Sequence, residues 1–236
     1  MNENNSYEIK IKEKKRLNVA RRYMSKFMLS SWNATPHVVQ MTEASADNLI
    51  KVKKEIGNVS FNDIILKAVA NSLIDVPLIN STLDGEDLIT YEDINIAVAV
   101  ASESGLYVPV VRNVDKKSIH DISKEVKEFA HKAANNAIMP DDMAFGTITV
   151  SNLGSTAVYT GTSVINAPQG AMIFIGAIRK EPVVNENDEI VVGNVLGISI
   201  TYDHRFIDGM LGQQFTTRLK HEIENISVEK CLLSEN

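Results

Sequence analysis

The chain has 236 residues, a formal net charge of −6, 44% hydrophobic residues and 23% charged residues, as in an ordinary globular protein. The acidic balance argues against general nucleic-acid binding, and no apolar run reaches the length that spans a membrane. The single cysteine, Cys231, allows neither an internal disulfide nor a cysteine metal cluster. The N-terminus also lacks the apolar run of a signal peptide. We therefore expect a cytoplasmic protein with no membrane or nucleic-acid partner.

The N-terminal region is predicted to be a basic arm. Residues 1–16 form this arm, and residues 17–236 form one domain of mixed α and β elements, without internal repeats or linkers. Two interpretations of the basic residues stay open: a solvated arm and helix face, or a patch that binds phosphate groups of a ligand. The basic residues are Lys10, Lys12, Lys14, Lys15, Arg16, Arg21 and Arg22.

Local signals predict the elements of the first half. Ser45 is expected to cap a helix that ends at Gly57. Ser60 and Asp63 form a capping-box-like pair that opens an amphipathic helix, and Pro77 stops that helix. The predicted segments are a helix at 19–32, a strand at 37–41, a helix from 45 to 56, a helix from 60 to 76 and a hairpin within 80–90.

In the second half, strands dominate the predicted elements. Pro109 places its strand at a sheet edge or a bulge, and the nearly all-apolar run 171–178 indicates a strand buried on both faces. Residues 196–202 alternate between apolar and small polar residues, as a strand does. Helical spacing then begins at Met210. The predicted strands are 94–100, 106–112, 145–150, 171–178, 190–192 and 196–202, and the predicted helices are 118–136 and 209–223.

The connection between the last strand and the last helix is the first candidate site. It reads Asp203-His204-Arg205-Phe206-Ile207-Asp208-Gly209. A histidine on a short connection between rigid elements has a fixed backbone, while its ring can face a cleft. The bland interpretation is that His204 is a structural histidine, Asp208 a helix N-cap and Gly209 a turn residue. This short pattern alone does not decide between the two.

A second candidate segment is 147–154, a strand that runs into a turn. Ser151 and Asn152 lie where the strand ends, and Gly154 is free to adopt a positive φ. These residues are common turn formers. Alternatively, the Ser151 hydroxyl is placed to donate a hydrogen bond to a developing oxyanion.

The sequence lacks the motifs of several common nucleotide-binding, hydrolase and metal sites. The glycine-rich phosphate loops G-x-x-x-x-G-K and G-x-G-x-x-G are absent, as is the G-x-S-x-G of many serine hydrolases. The remaining histidines have no ligand spacing with a nearby carboxylate, so we expect no metal site. They are His37, His120, His131 and His221.

Taken together, five segments resemble the catalytic domain of the dihydrolipoamide acyltransferases of 2-oxo acid dehydrogenase complexes. In chain order they are NVARRYMSKFMLSSWNATPHV, YVPVVRNVDKKSI, FGTITVSNLG, SVINAPQGAMIFIGAI and YDHRFIDG. The resemblance runs from about Leu17 to Leu233. Asp203 before His204 and Arg205 favours this branch over chloramphenicol acetyltransferase and the peptide-synthetase condensation domains, which carry a second histidine there.

The resemblance implies a chloramphenicol acetyltransferase-like α/β fold, a mixed sheet with flanking helices that forms trimers. It implies transfer of an acyl group, with acetyl expected, between a dihydrolipoyl thiol and coenzyme A. His204 would be the general base, Ser151 the oxyanion donor and Asp208 a support of the active-site loop. It also implies a cleft between subunits of a homotrimer, and a larger cubic or dodecahedral core as a further possibility. Lipoyl-bearing and dehydrogenase components are the expected partners.

One departure from the family concerns the segments around the catalytic region. The chain has no lipoyl domain, subunit-binding domain or Ala/Pro-rich linker, so the lipoyl group is expected to be supplied in trans. Three alternatives stay open: a fragment of a longer chain, a stand-alone transferase that uses acyl-CoA and another small acceptor, or a non-catalytic core scaffold. The acyl group and the residues that contact coenzyme A are not assigned from the sequence.

Overall fold

The computed structural model describes residues 9–102 and 105–232. Residues 1–8 of the predicted arm and 233–236 of the predicted domain lie outside the described residues. The helices are α1 (Val19–Ala34), α2 (Asp47–Ile56), α3 (Phe61–Asp75), α4 (Ile119–Ala134), α5 (Gly209–Glu224) and α6 (Val228–Leu232). The strands are β1 (His37–Ser45), β2 (Ser81–Asp84), β3 (Asp87–Thr90), β4 (Ile96–Val98), β5 (Val100–Ser102), β6 (Gly105–Tyr107), β7 (Val110–Val111), β8 (Ile148–Asn152), β9 (Ala171–Val184) and β10 (Ile190–Asp203).

A six-stranded mixed sheet in the order β1-β10-β9-β8-β4-β7 lies at the centre. β10 runs antiparallel to both β1 and β9, β8 runs parallel to β9 and β4, and β7 closes the edge antiparallel to β4. β2 pairs with β3 and β5 with β6 in two separate hairpins. The predicted mixed sheet with flanking helices is therefore confirmed.

One face of the sheet carries the hydrophobic core. Alternate residues of β10 point into it, as their sequence pattern predicts, and meet the apolar sides of helices α2 to α5 in one buried cluster. Phe215 of α5 and Ile64 of α3 are fully buried in this cluster. Met210, expected to begin the inner face of α5, is instead 67% exposed because it lies in the first turn of the helix, at its outer end.

The opposite face of the sheet is covered by residues 153–170, here called the covering segment, which contains no helix or strand. Hydroxyl groups on the strands bond to this segment. The Ser199 and Thr160 oxygens lie 2.8 Å apart, and Thr201 accepts a bond from the Ser163 N–H at 3.2 Å. The small polar residues that alternate along β10 are therefore buried rather than solvent-facing.

Two glycines allow the covering segment to approach the sheet. A Cβ atom on Gly176 would lie 1.9 Å from the carbonyl oxygen of Tyr159, and one on Gly197 would lie 1.8 Å from the same oxygen. Only a residue without a side chain fits at either position. The register of β9 and β10 shifts between Leu196 and Ile198, next to this crossing.

Most predicted helix boundaries are confirmed, because they depend on local capping. Ser60 and Asp63 form the complete capping box of α3. Gly57 follows α2 with a φ of 64°, as its role as a stop requires. The prediction for Ser45 is wrong: Ser45 is the last residue of β1, and α2 begins after Ala46 without a side-chain cap.

The strands differ from the predictions at several points. The strand expected at 94–100 is divided at residue 99 into β4 and β5, which belong to different sheets, and the strand expected at 37–41 continues to Ser45. The strand expected at 145–150 begins only at Ile148, since Phe145 has a φ of 66° and is 73% exposed. The strand expected at 106–112 is divided at Pro109, which cannot donate to the sheet, and its second half forms the predicted edge strand. β9 and β10 also extend beyond the predicted 171–178 and 190–192 into a long hairpin around the predicted polar turn.

Among the described residues, no helix combines the length and the apolar character needed to cross a membrane.

Candidate active site

The backbone around His204 is held from both sides. The Asp203 N–H donates to the Gly170 carbonyl at 2.9 Å, and the His204 N–H donates to the Pro36 carbonyl at 3.0 Å. His204 itself is exposed, so its ring is available to a ligand while its backbone is fixed. This is the arrangement that the sequence predicted for a histidine on a short connection.

An ion pair stabilises the turn that follows. Arg205 donates through Nε to both carboxylate oxygens of Asp203 at 3.0 Å and through Nη2 to Oδ2 at 2.6 Å. Asp203 is buried, and its Oδ1 also accepts the Arg205 backbone N–H at 3.0 Å. Hydrogen bonding to Asp203 holds the pKa of the Arg205 guanidinium above its ordinary value. The charges of Asp203 and Arg205, the two residues that flank His204, are therefore paired with each other.

Asp208 caps the following helix. Its Oδ1 accepts the Leu211 N–H at 2.8 Å, and Asp208 has the extended backbone of an N-cap. Among the described residues no hydrogen bond joins Asp208 to His204. The bland interpretation of Asp208 as an N-cap is thus confirmed. A cap of this kind fixes the direction in which the loop enters α5.

Tyr202 is a neighbour of His204 that sequence reasoning did not single out as a site residue. Its ring centroid lies 6.0 Å from that of His204, and a Cβ on Gly212 would lie 2.7 Å from its Cε1. The Tyr202 hydroxyl is buried without a hydrogen-bond partner among the described residues. Burial raises the pKa of the phenol, and the charge of Asp208 raises it further. The alternation of β10 predicts a buried side chain here but carries no signal for the hydroxyl.

Ser151 and His204 lie far apart within one chain. Ser151 is paired with Phe174 on β9, and Phe174 is paired with Ser199 on β10, so Ser151 is level with Ser199. His204 is five residues farther along the chain, which corresponds to roughly 17 Å along the strand and about 10 Å across it. The half-buried Ser151 therefore cannot contact His204 of the same chain.

A cleft of about 690 Å³ begins at the end of β8, and Ser151 is not one of its lining residues. Asn152 lines it and donates through Nδ2 to Asn62 Oδ1 at 3.2 Å, and this bond connects the end of β8 to the start of α3. Gly154, expected to adopt a positive φ, is not among the described glycines that do so; its N–H instead bonds Asn152 Oδ1 at 2.7 Å. Most other lining residues are small or apolar and come from β4, β5, α4 and β9.

Two other predicted features can be located. The described part of the basic arm, from Lys10 to Arg16, is exposed and has no regular secondary structure. No group of three or more His, Cys, Asp or Glu side chains among the described residues is arranged to hold a metal ion.

The chain is similar in sequence to proteins of one known family. The sequence model described as "2-oxoacid dehydrogenases acyltransferase (catalytic domain)" matches residues 10–230. The chain belongs to this family. The relatives include the dihydrolipoyllysine-residue acetyltransferase component of the pyruvate dehydrogenase complex of Rickettsia bellii, 33% identical over 88% of this chain and 52% of that protein. Another is the lipoamide acyltransferase component of the branched-chain alpha-keto acid dehydrogenase complex of Bacillus subtilis, 34% identical over 87% of this chain and 51% of that protein.

This family member is also similar to solved structures. A probable dihydrolipoamide acetyltransferase from Listeria monocytogenes shares 35% identity and a TM-score of 0.86, covering 92% of this chain and 96% of that one. Chloramphenicol acetyltransferase has a TM-score of 0.55 at 18% identity, covering 83% and 94% of the two chains, which confirms the predicted fold. The chain spans about half the length of the curated relatives it matches.

Proposed function

We propose that this family member is an acyltransferase that moves an acyl group between a dihydrolipoyl thiol and coenzyme A. The observation that carries the proposal is the presentation of His204, which is exposed on a backbone held by Gly170 and Pro36. The family membership of residues 10–230 supports the same reaction.

His204 acts as the general base in this proposal. An imidazole nitrogen takes the proton of the attacking thiol while the sulfur bonds to the thioester carbonyl carbon. The tetrahedral intermediate then breaks its bond to the other sulfur, which takes the proton back from the imidazolium. Proton transfer from an ordinary thiol to an ordinary imidazole costs about 2.7 kcal/mol, small beside a typical reduction of a barrier by an enzyme.

Ser151 stabilises the oxyanion of that intermediate through its hydroxyl. A single donor of this kind contributes about 3–4 kcal/mol to the transition state. Because Ser151 and His204 of one chain lie roughly 20 Å apart, we infer that each site combines Ser151 of one subunit with His204 of its neighbour. Such a site lies between subunits, and a homotrimer closes it by symmetry.

A larger assembly of trimers is part of the proposal. One structural neighbour is the cubic core of a pyruvate dehydrogenase multienzyme complex, with a TM-score of 0.85 and 30% identity over 91% of this chain and 92% of that one. We propose that trimers of this chain assemble into a cubic or dodecahedral core that binds lipoyl-bearing and dehydrogenase components.

We propose that the long, flexible chain of coenzyme A that carries the thiol enters through the cleft beside Asn152. Its volume of about 690 Å³ and its mostly apolar lining suit a long, flexible chain, and Asn152, the residue after Ser151, is among its polar lining residues. The dihydrolipoyl thiol then approaches His204 from the opposite side. It is supplied in trans by another protein, with the basic arm as the docking surface. No metal takes part in this scheme.

The test is acyl transfer between acetyl-CoA and free dihydrolipoamide. His204→Ala is expected to lose at least about 10² in kcat with its fold intact, which circular dichroism measures independently. His120→Ala, on the exposed side of α4, is the matched control and is expected to keep wild-type activity. More than about a tenth of wild-type kcat in His204→Ala would show that His204 is not the base.

The acyl group is determined in the same assay. One relative is named as an acetyltransferase and another as a component of a branched-chain complex, so acetyl-CoA and isobutyryl-CoA are compared at equal concentrations. We expect acetyl transfer to have the higher kcat/KM. A preference for isobutyryl-CoA would assign the chain to branched-chain substrates and leave the proposed reaction unchanged.

A further inference from the structure

His37 takes part in a network of hydrogen bonds around the end of β10, directly before His204. It is the first residue of β1 and is paired with Asp203, the last residue of β10. Two separate chain segments hold that strand end: residue 36 bonds the His204 N–H, and residue 170 bonds the Asp203 N–H. His37 and its neighbours connect those two segments to each other.

The two ring nitrogens of His37 have different partners. Nδ1 lies 2.7 Å from the carbonyl oxygen of Thr35, which can only accept a hydrogen bond. Nε2 lies 3.0 Å from the backbone nitrogen of Ile165, which can only donate. The proton of the neutral ring is therefore on Nδ1, and Nε2 is the acceptor. The Trp32 ring stacks on the imidazole at 5.0 Å between centroids and holds its orientation.

The peptide groups of Ile165 are held on both sides. Its N–H donates to His37, and its carbonyl accepts from the Ser31 hydroxyl of α1 at 2.6 Å. Ile165 and Ser31 are buried, so a broken bond here leaves a polar group without water. The connection is thus a strong one between β1, α1 and the end of the covering segment that leads to Gly170.

We propose that His37 is a positioning residue for His204. It connects segment 35–37 to segment 165–170, and these two segments fix the backbone of Asp203 and His204 from opposite sides. His37 contacts neither thiol; it acts through the placement of the base. The inference rests on the proposed acyl transfer for its kinetic consequence, while the hydrogen-bond network exists independently of the reaction.

Two substitutions separate hydrogen bonding from packing. His37→Gln places an amide oxygen at the position of Nε2 and keeps the bond from Ile165. His37→Phe keeps a flat ring for Trp32 but removes the acceptor. If His37 only fills space, the Phe variant should keep more activity than the Gln variant. If His37 acts by accepting the hydrogen bond from Ile165, the Gln variant should keep more activity. His120→Phe controls for the loss of an exposed histidine.

The kinetic expectation is a separation of kcat from KM. His37→Phe is expected to lower kcat about ten- to hundredfold, because small displacements of a catalytic group have effects of this size. The KM values for acetyl-CoA and dihydrolipoamide should not change. His37→Gln should recover most of the lost kcat, and His120→Phe should match the wild type. The proposal would be overturned if His37→Phe had the kcat of the wild type, or if His37→Phe had a higher kcat than His37→Gln.

Two further measurements do not depend on activity. Nitrogen NMR of the imidazole should show His37 protonated at Nδ1 and unprotonated at Nε2. Hydrogen exchange of the Ile165 and His204 amides should be faster in His37→Phe than in His37→Gln. If the wild type transfers no acyl group, the proposed function fails, yet these measurements still decide whether His37 holds His204. Unchanged exchange at His204 in the Phe variant would overturn the proposal on its own.

Discussion

Ser151 and His204 lie two strands apart in one sheet, with Ser151 level with Ser199 and His204 beyond the end of β10. The two candidate catalytic side chains therefore lie roughly 20 Å apart within one chain. Under the proposed function, a single chain contributes half of each of two sites rather than one complete site.

Mixing of two inactive variants tests this arrangement. His204→Ala and Ser151→Ala homo-oligomers should each be nearly inactive, whereas mixed oligomers contain sites with both wild-type residues. After subunit exchange at equal concentrations, about a quarter of the sites should be intact. An intact site needs Ser151 from a His204→Ala subunit and His204 from a neighbouring Ser151→Ala subunit, and each of these has a probability of about one half. Acyl transfer is measured before and after exchange. No recovery, despite exchange verified by mass spectrometry, would place both residues of a site in one chain.

The second prediction concerns recognition of the lipoyl partner by the basic arm. Acyl transfer to a separately produced lipoyl domain should have a lower KM than transfer to free dihydrolipoamide, and this advantage should weaken as salt rises. Replacing Lys12, Lys14 and Lys15 with Gln should raise the KM for the domain but not for free lipoamide. Equal kcat/KM for the two substrates at low salt would remove the support for a docking role.

A second triple variant is the control for this measurement. Lys51, Lys54 and Lys124 are also exposed and lie on α2 and α4 rather than in the arm. Their replacement with Gln changes the net charge by the same amount, so it should leave the KM for the lipoyl domain near the wild-type value. A similar rise in KM for both triple variants would indicate a general charge effect rather than docking by the arm.

The third prediction concerns the close contact between the sheet and the covering segment. Gly197→Ala should destabilise the protein by at least about 2 kcal/mol, since its Cβ would overlap the Tyr159 carbonyl. Gly161→Ala is the matched control, because its Cβ would make an ordinary 3.5 Å contact with Phe174. Denaturant unfolding measures both variants. Equal stability of the two alanine variants would contradict the close crossing.

Cys231 provides a prediction for alkaline conditions. Burial raises the pKa of this thiol to about 11, although the charge of Lys67 opposes the rise. An unfolded thiol ionises from about pH 8.5, so the unfolded state loses its proton first and stability falls as pH rises from there to about 11. Cys231→Ala should lose the thiol's part of this decrease, about 3 kcal/mol at most, although the smaller side chain costs some stability at neutral pH.

Unfolding free energies at pH 7, 9 and 10.5 measure the effect. The difference between wild type and Cys231→Ala should shrink steadily over this range. A constant difference would show that the folded and unfolded thiols ionise alike. A thiol reagent at pH 8 should also react only as fast as α6 opens, because Cys231 is fully buried.

What the sequence predicts well is local. The capping box of Ser60 and Asp63 and the N-cap of Asp208 need only neighbours within one helical turn, and both appear where the pattern indicates them. Ser45 shows the limit of the same reasoning. It is a good capping residue, but pairing with β10 keeps it in a strand, and this competition is invisible in a local window.

The candidate site likewise has a part that local sequence predicts and a part that depends on distant residues. The short connection of His204 follows from the change of periodicity between β10 and α5. Its supports do not, because the carbonyl of Pro36, the ring of His37 and the carbonyl of Gly170 come from distant parts of the chain. A short pattern indicates the candidate histidine, whereas the hydrogen bonds that hold its backbone depend on the completed sheet.

The covering segment has a consequence for engineering. It connects two parallel neighbouring strands, a task usually given to a helix, and it bonds to side chains of the sheet through the Thr160 hydroxyl and the Ser163 N–H. It therefore tolerates insertions poorly, although its lack of helix and strand gives it the appearance of an ordinary loop. The turn at 185–188 is the contrasting case, since it ends the exposed hairpin of β9 and β10. An affinity tag or a fluorescent label belongs at that hairpin tip.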